Sequence, residues 1–277
     1  MNRTPLETGL IWFFTIVTGI LLLLPVYWIF LSSVTPADML FSTPIHYIPL
    51  RPTLENYMNL FQQMNIGWLL FNTGSIIVLS LVCSILLSLL AAYAFARIKF
   101  RFSGMMLGFI VMSGMLPATS TIIPLFQYFR KLHLLGTFTG VVLLYVSALL
   151  PFTVLIFVNF LLQLPKSLEE AALVDGAGIG RVIFSIAIPL MKPAIATMAI
   201  INFILCMNEF MIPLIFGSED LMTLSVGITQ IHRINQYAVP WDQISALATI
   251  MLIPIVLFVM VFERRIMEGI MSGSVKG

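Results

Sequence analysis

Two adjacent carboxylates, Glu169 and Glu170, stand in a polar stretch of an otherwise apolar sequence. Ser167 precedes Glu170 by three residues, which is the spacing of a capping box, where a hydroxyl and a carboxylate each accept a hydrogen bond from a free backbone N–H group. Acidic side chains also stabilise the positive end of a helix dipole. This pattern predicts a short helix that begins near Leu168.

The predicted helix has a small, smooth face, formed by Ala171, Ala172, Leu173 and Val174 after the acidic pair. Gly176 and Gly178 favour its end, since glycine readily adopts the left-handed conformation that closes a helix. A short helix of this kind suits insertion into a groove of another protein. The alternative is a helix that rests on the lipid surface, but such helices carry basic residues on one face and bulky apolar residues on the other. We therefore favour protein docking.

The residues around this helix follow a known pattern. It begins with Glu170-Ala171-Ala172, and three residues separate this triplet from Gly176. Nine residues then separate Gly176 from Ile186, and one more residue precedes Ile188-Pro189. It resembles the EAA signature of the membrane subunits of ABC importers, with Ile188 in place of the usual leucine.

The resemblance extends over nearly the whole chain. Residues 90–97, 208–210 and 273–277 are similar to the carbohydrate branch of that family, in particular to its maltose-type second permease subunits. One departure is Met207, where the family usually has tryptophan. This chain therefore has no aromatic ring at that position.

The resemblance implies a six-span permease bundle with a cytoplasmic coupling helix and no cofactor. It also implies a homologous second permease subunit, two cytoplasmic ATP-binding subunits, an extracytoplasmic solute-binding protein and a sugar as the substrate. The residues implied to couple to the ATPase are Glu169, Glu170, Ala171, Ala172, Asp175, Gly176 and Pro189. The C-terminal residues implied to reach the ATPase are Gly273, Val275, Lys276 and Gly277; a frayed terminus is the alternative.

The composition excludes an ordinary soluble protein, because 60% of the residues are hydrophobic, 9% are charged and the mean hydropathy is +1.04. The net charge of +2 comes from scattered basic residues, so no nucleic-acid surface is predicted. Cys83 and Cys206 lie in apolar runs without metal-ligand or disulfide spacing. The sequence has no HExxH, GxSxG or phosphate-loop string, so we expect no enzyme and no ATP hydrolysis by this chain.

Six apolar segments of the sequence are long enough to cross a membrane, which takes about 20 residues each. None alternates as a barrel strand does, so we predict an all-α integral membrane protein with one domain over residues 1–277. The loop of residues 163–192 contains the docking helix. The predicted spans are roughly 10–34, 69–96, 105–124, 140–162, 193–216 and 244–262.

Basic residues predict the orientation of the spans. With the N-terminus inside, ten of the fourteen Lys and Arg residues fall on the inner side. Both termini and the docking helix are then cytoplasmic, at the inner membrane of a bacterium. Arg130 and Lys131 fall outside in this topology, so a missed or extra span around residues 123–135 is its weakest point. The outer loops, 35–68 and 217–243, either meet an extracytoplasmic partner or are simply solvated.

Glu209 is an ionisable residue within an apolar stretch, which is costly unless it faces a cavity or a partner. Asn208 adjoins it, and Asn202 lies about two helical turns away. We interpret Glu209, Asn208 and Asn202 as candidates for a translocation pathway. The alternative is a structural hydrogen bond that holds two spans together.

The sugar assignment rests on the resemblance, and no residue by itself demands it. Within the same family the cargo is alternatively a polyamine, a phosphate ester or a peptide. In a different class, the chain is a secondary transporter driven by an ion gradient, with Glu209 as its ion site. That alternative leaves the acidic docking helix unexplained.

Overall fold

The computed structural model describes residues 5–231 and 239–274. Every regular element in these ranges is helical, so the predicted all-α class is confirmed. The helices are α1 Pro5–Ser33, α2 Glu55–Gln63, α3 Ile66–Arg97, α4 Ser103–Ser113, α5 Ala118–Lys131, α6 Phe138–Gln163, α7 Ser167–Val174, α8 Ile179–Val182, α9 Ile188–Leu190, α10 Lys192–Asn208, α11 Met211–Phe216, α12 Leu224–Gly227 and α13 Trp241–Ser274. A π-helical segment, Ile183–Ala187, lies between α8 and α9.

Four helices in the described part of the chain, α1, α3, α6 and α13, are long and apolar enough to cross a membrane. A fifth span results if Ile179–Leu190 and Lys192–Asn208 count as one, and these two segments are bent by 72° at Met191. Helices of this length satisfy their backbone hydrogen bonds internally, which the hydrocarbon core of a bilayer requires.

The segment predicted as a span over residues 105–124 is two helices rather than one. Helix α4 ends at Ser113, and α5 begins after Pro117, whose backbone is extended with φ −60° and ψ 126°. A proline disfavours the helical conformation of the residue before it, here Leu116, and so interrupts the helix. Just before the break, a Cβ atom added to Gly114 would lie 2.9 Å from Cβ of Pro151 in α6. The small residue therefore lets α4 approach α6 closely.

The segment predicted over residues 193–216 is interrupted in the same way. Helix α10 ends at Asn208, and Glu209 has an extended backbone with φ −72° and ψ 124°. Helix α11 then begins at Met211. Two of the six predicted spans thus contain a break in their helical backbone.

The chain divides into two compact units. The first unit contains α1, α2 and α13 up to Ile253. Within it, the buried side chain of Asn56 donates hydrogen bonds to the carbonyl oxygens of Ser33 and Thr35, both at 2.9 Å. These bonds attach α2 to the end of α1, while most apolar side chains of α1 are exposed.

The second unit contains the chain from Trp68 to Val226 and α13 from Pro254. Its core is formed where α3, α6 and α10 pack together, with Ala92, Phe157 and Met198 each fully buried. Two of these helices, α6 and α10, flank the polar loop that holds α7. The core therefore gives α7 a rigid support.

Candidate functional site

Helix α7 lies where the short docking helix was predicted. It ends at Val174, and Gly176 follows with φ +83°, a left-handed conformation that glycine adopts without steric cost. The N–H of Gly176 donates to the carbonyl of Leu173 at 3.1 Å, and the N–H of Ala177 donates to the carbonyl of Ala172 at 2.9 Å. This pair of bonds is a Schellman motif. The predicted end at Gly176 is confirmed.

The predicted capping box at the start of α7 is wrong. The helix begins at Ser167 itself, after Lys166, and it has no capping hydrogen bond from a side chain. A capping hydroxyl must belong to the residue before the first helical one. The backbone N–H groups of Glu169 and Glu170 instead both donate to the carbonyl of Lys166, at 3.0 Å.

Glu169 forms a buried ion pair with Arg97, the last residue of α3. The distance from Arg97 Nε to Glu169 Oε1 is 2.8 Å, and the two side chains are 6% and 8% exposed. One helical turn earlier in α3, the hydroxyl of Tyr93 donates to the other oxygen, Oε2, at 3.1 Å. Both carboxylate oxygens of Glu169 are therefore occupied inside the protein. Of the two adjacent carboxylates, this one faces inward.

Arg97 also contacts the end of α6. Its Nη2 donates to the carbonyl of Leu164 at 3.3 Å, and Leu164 is the residue that caps α6. Its third nitrogen, Nη1, is buried and has no hydrogen-bond partner among the described residues. The guanidinium of Arg97 thus joins three elements, α3, α6 and α7.

Most of the remaining surface of α7 is exposed. Glu170 and Ala171 lie on the surface, and Ala172 is half-buried. Large apolar side chains accompany them, with Leu168 47% and Val174 88% exposed. The sequence interpretation counted Leu173 and Val174 with the alanines as part of a small, smooth face, but both are large apolar side chains at the surface. We call the exposed surface formed by Leu168, Glu170, Ala171, Leu173 and Val174 the α7 outer face.

Asp175 and Pro189 extend the site beyond α7. Asp175 caps the C-terminus of α7 and is exposed. Pro189 lies in α9, after the π-helical segment, and is exposed as well. A proline lacks an N–H group and clashes with the preceding turn, which accounts for a widened π turn just before it. Pro189 therefore belongs to the bend between α8 and α10 rather than to α7.

The side chain of Glu209, two residues before α11, satisfies a free backbone N–H group in the first turn of that helix. Its Oε1 accepts a hydrogen bond from the backbone N–H of Ile212 at 2.9 Å. Its carbonyl accepts a hydrogen bond from the hydroxyl of Ser225 at 2.7 Å. The residue therefore stabilises an interrupted helix.

The two asparagines predicted near Glu209 have different surroundings. Asn202 is buried, and its Nδ2 donates to Thr153 Oγ1 of α6 at 3.0 Å. Its Oδ1 is buried without a hydrogen-bond partner among the described residues. Asn208 is exposed and donates to the carbonyl of Ile204 in its own helix, at 2.8 Å. The structure thus does not bring Asn202 and Asn208 into one polar cluster.

The loop after α11 is attached to the start of α3. Trp68 Nε1 and Asn72 Nδ2 both donate to the carbonyl of Asp220, at 2.9 and 2.7 Å. The hydroxyl of Thr73 accepts a hydrogen bond from the N–H of Leu224 at 2.9 Å. The sequence interpretation did not foresee this attachment, although polar residues at the start of an apolar helix were its signal.

A cavity of about 420 Å³ opens between the two interrupted spans. Ser113 and Gly114 line it at the first break, and Ile212 and Phe216 of α11 line it near the second. The hydroxyl-bearing residues Thr121 and Ser147 also contribute to its wall, as do several aliphatic side chains. A second cavity, of about 540 Å³, lies within the first unit and includes Trp28 and Trp241 in its lining.

The remaining predicted residues add no further site. No group of three or more His, Cys, Asp or Glu residues in the described ranges is arranged to hold a metal ion. Cys83 and Cys206 are both unpaired thiols. Gly273 lies in the last turn of α13, while Val275, Lys276 and Gly277 lie outside the described residues.

A family model described as "Binding-protein-dependent transport system inner membrane component" matches residues 84–270. The matched region includes α7, the α7 outer face and both helix breaks. In fold, the chain is similar to a bacterial ABC transporter involved in the import of the acidic polysaccharide alginate. The TM-score is 0.79 at 20% sequence identity, and the match covers 95% of this chain and 99% of that chain.

Relatives of higher identity cover almost the whole length. The sulfoquinovosyl glycerol transport system permease protein SmoH of Agrobacterium fabrum is 34% identical over 92% of this chain and 89% of its own. The trehalose transport system permease protein SugB of Mycobacterium tuberculosis is 33% identical over 95% of both chains. The trehalose/maltose transport system permease protein MalG of Thermococcus litoralis is 31% identical over 95% of this chain and 94% of its own.

Proposed function

The chain belongs to the family of binding-protein-dependent transport system inner membrane components, and we propose that it is the permease through which an ABC importer moves a sugar or oligosaccharide. The membrane-spanning helices and the family membership support transport rather than catalysis. The sugar cargo is supported by the relatives, whose names include sulfoquinovosyl glycerol, trehalose and maltose.

The observation that carries the proposal is the two-sided construction of α7. Its inner side is held by Glu169 to the helices of the bundle. Its outer face presents an acidic residue, an alanine and exposed apolar side chains, Leu173 and Val174 among them. A polar loop with such a face suits helix-in-groove docking to another protein.

The proposed partner at this face is a cytoplasmic ATP-binding subunit, present in two copies. Glu170, Ala171, Ala172, Asp175 and Gly176 form the proposed contact, and Pro189 stiffens the bend that follows. Closure of the ATP-binding subunits moves α7, and α7 passes the movement to the attached spans as a rigid body. Both termini are then cytoplasmic, and the C-terminal residues 273–277 are a proposed second contact with the same partner.

The other proposed partners are a homologous second permease and an extracytoplasmic solute-binding protein. Most of α1 is exposed and strongly apolar, so that lipid or a second permease must cover it in the membrane. The outer loop around Asp220, held to the start of α3 by Trp68 and Asn72, is a proposed contact for the binding protein. A loop held at three points keeps a defined shape for recognition.

The proposed translocation pathway runs along the interrupted spans. Irregular backbone at membrane depth is tolerated only where it is buried in protein or lines a cavity, and the breaks at Pro117 and Glu209 flank a cavity of about 420 Å³. The hydroxyls of Thr121 and Ser147 offer a sugar hydrogen-bond partners there. Asn208 and Asn202 remain proposed members of this pathway with Glu209.

Co-purification in mild detergent tests the coupling role. The chain is isolated from its native membrane as wild type and as a variant in which residues 169–178 are replaced by a Gly/Ser linker. We expect an ATP-binding subunit to accompany the wild type and to be lost from the variant. Its absence from the wild type would refute the importer assignment, and its retention by the variant would refute docking through α7.

Uptake into proteoliposomes tests the cargo. The whole transporter is reconstituted with its binding protein, and ATP-dependent accumulation of radiolabelled trehalose and maltose is compared with that of spermidine and glycerol 3-phosphate. We expect accumulation of a sugar and of neither comparison solute. Uptake of spermidine or glycerol 3-phosphate alone would overturn the sugar assignment while it leaves the permease assignment intact.

A further inference from the structure

We infer that Arg97 is a positioning residue, which ties α7 to α3 so that movement of α7 reaches three spans rather than the two that flank its loop. The inference rests on the proposed coupling function of α7. The loop itself connects α7 only to α6 and, through α8 and α9, to α10. Arg97 adds α3, which is distant in sequence, since 72 residues separate Arg97 from Glu169.

The first argument is the geometry of the guanidinium. Arg97 ends α3, and its Nε and Nη2 donate in two directions, to Glu169 of α7 at 2.8 Å and to the carbonyl of Leu164 at 3.3 Å. Tyr93 lies four residues earlier in α3, so that it shares a helix face with Arg97. Its hydroxyl holds the second oxygen of Glu169. Tyr93 and Arg97 of α3 thus both form hydrogen bonds with the carboxylate of Glu169 in α7.

The second argument is burial. The side chains of Arg97 and Glu169 are only 6% and 8% exposed. An exposed ion pair stabilises little and is easily exchanged for water. A buried pair is different, because separation of its partners leaves an uncompensated charge in a poorly solvated place. Helix α7 therefore cannot move away from the end of α3 without a large cost, and the two helices move together.

The third argument is the choice of arginine. Arginine carries donors in a rigid planar fork, so one side chain can satisfy acceptors on two different elements. Lysine presents a single ammonium group and does not reproduce this shape. The neighbouring basic residue Arg101 contrasts with Arg97, because it is exposed and lies over the ring of Phe102 at 5.0 Å. Arg101 is therefore a matched control of the same residue type.

The test measures sugar molecules imported per ATP hydrolysed by the complete reconstituted transporter. Arg97→Gln, Glu169→Gln and the double variant are compared with wild type and Arg101→Gln. We expect Arg97→Gln to keep the ATP-binding subunit bound but to lower the ratio about tenfold, within the usual range of coupling between sites. The double variant falls no further than Arg97→Gln, since both residues act through one contact. Arg101→Gln keeps the wild-type ratio.

A wild-type ratio of import to ATP hydrolysis in Arg97→Gln would overturn the inference. The inference would also fail if the reductions of this ratio in the two single variants multiplied in the double variant, because the two residues would then act independently. Loss of the ATP-binding subunit from Arg97→Gln would also overturn it, because the residue would then be needed for docking rather than for transmission. If Arg97→Gln does not accumulate in the membrane, the same ratio is measured in the nearly isosteric Glu169→Gln variant, for which we expect the same loss. Absence of ATP-dependent uptake by the wild type would instead refute the proposed function.

Discussion

The carboxylate of Glu209 accepts a hydrogen bond from the backbone N–H of Ile212 at 2.9 Å and so caps the helix that follows the break. The side-chain oxygen at this place therefore has a structural role. The cap requires an acceptor oxygen and not a titrating group.

We predict that Glu209→Gln retains at least partial ATP-driven sugar uptake, because the amide oxygen of glutamine accepts the same hydrogen bond. Glu209→Leu removes the acceptor and lowers the free energy of unfolding by about 1 kcal/mol, as is typical of a lost cap. Uptake into proteoliposomes and thermal unfolding of the purified chain check the two outcomes. Complete loss of uptake in a correctly assembled Glu209→Gln transporter would give Glu209 a direct role in translocation.

The end of α7 at Gly176 gives a second prediction. Gly176→Pro abolishes coupled uptake, since proline holds φ near −65° where the chain needs +83° and also removes the hydrogen bond to Leu173. Gly176→Ala is milder and costs about 1–2 kcal/mol, the strain of a left-handed residue with a Cβ atom. Its Cβ meets no atom within 4 Å.

Gly180 is the matched control for Gly176. It lies in α8 without a left-handed conformation, and a Cβ there also meets no atom within 4 Å. Gly180→Ala should therefore leave uptake and co-purification of the ATP-binding subunit unchanged. Normal uptake by Gly176→Pro would show that the shape of this turn has no part in coupling.

The α7 outer face gives a third prediction. Val174 is 88% exposed, so Val174→Asp removes almost no internal packing but places a charge in the proposed docking surface. We expect weaker co-purification of the ATP-binding subunit at an unchanged level of the chain in the membrane. Glu170→Lys acts in the same direction, because it reverses a charge on that face.

Leu54→Asp is the control for Val174→Asp. Leu54 is an apolar side chain that is 67% exposed, but it lies in the loop between α1 and α2, far from α7 in the sequence. We expect it to leave co-purification unchanged. An equal effect of the two substitutions would mean that the α7 outer face is not a specific docking surface.

The hydrogen bond between Asn202 and Thr153 gives a fourth prediction. Both residues are buried, and the bond joins α10 to α6 at 3.0 Å. In a double-mutant cycle of Asn202→Ala and Thr153→Val, we expect a coupling of about 0.6 kcal/mol in the free energy of unfolding, the average for bonds between membrane helices. A changed KM for sugar without any coupling in stability would favour a direct contact with the cargo.

Local sequence alone determined where four of the six predicted spans and the loop helix lie. Long apolar runs predict helices wherever a bilayer leaves the backbone no partner but itself, and α1, α3, α6 and α13 follow that rule. Gly176 determined the end of α7, because the left-handed turn depends on one residue and not on its neighbours in space. The EAA-like spacing is likewise a property of consecutive residues.

The tertiary structure decided which side chains of those elements face the interior of the protein. The family resemblance implied that Glu169 and Glu170 both contact the ATPase, but the structure turns Glu169 inward to Arg97, a partner 72 residues away. No local pattern contains such a contact, because it depends on the packing of α3 against α6. The capping box between Ser167 and Glu170 failed for a different reason, since α7 begins at Ser167 itself and the N–H groups of its first turn donate to the carbonyl of Lys166.

The breaks in the spans were decided in the same way. Pro117 and Glu209 were visible in the sequence, but a proline within an apolar run can produce a kink as well as an interruption. At the first break, Gly114 of α4 closely approaches Pro151 of α6. At the second, Ile212 and Ser225 bind Glu209. Hydropathy measures the length of an apolar run, whereas these contacts determine whether its helix is continuous.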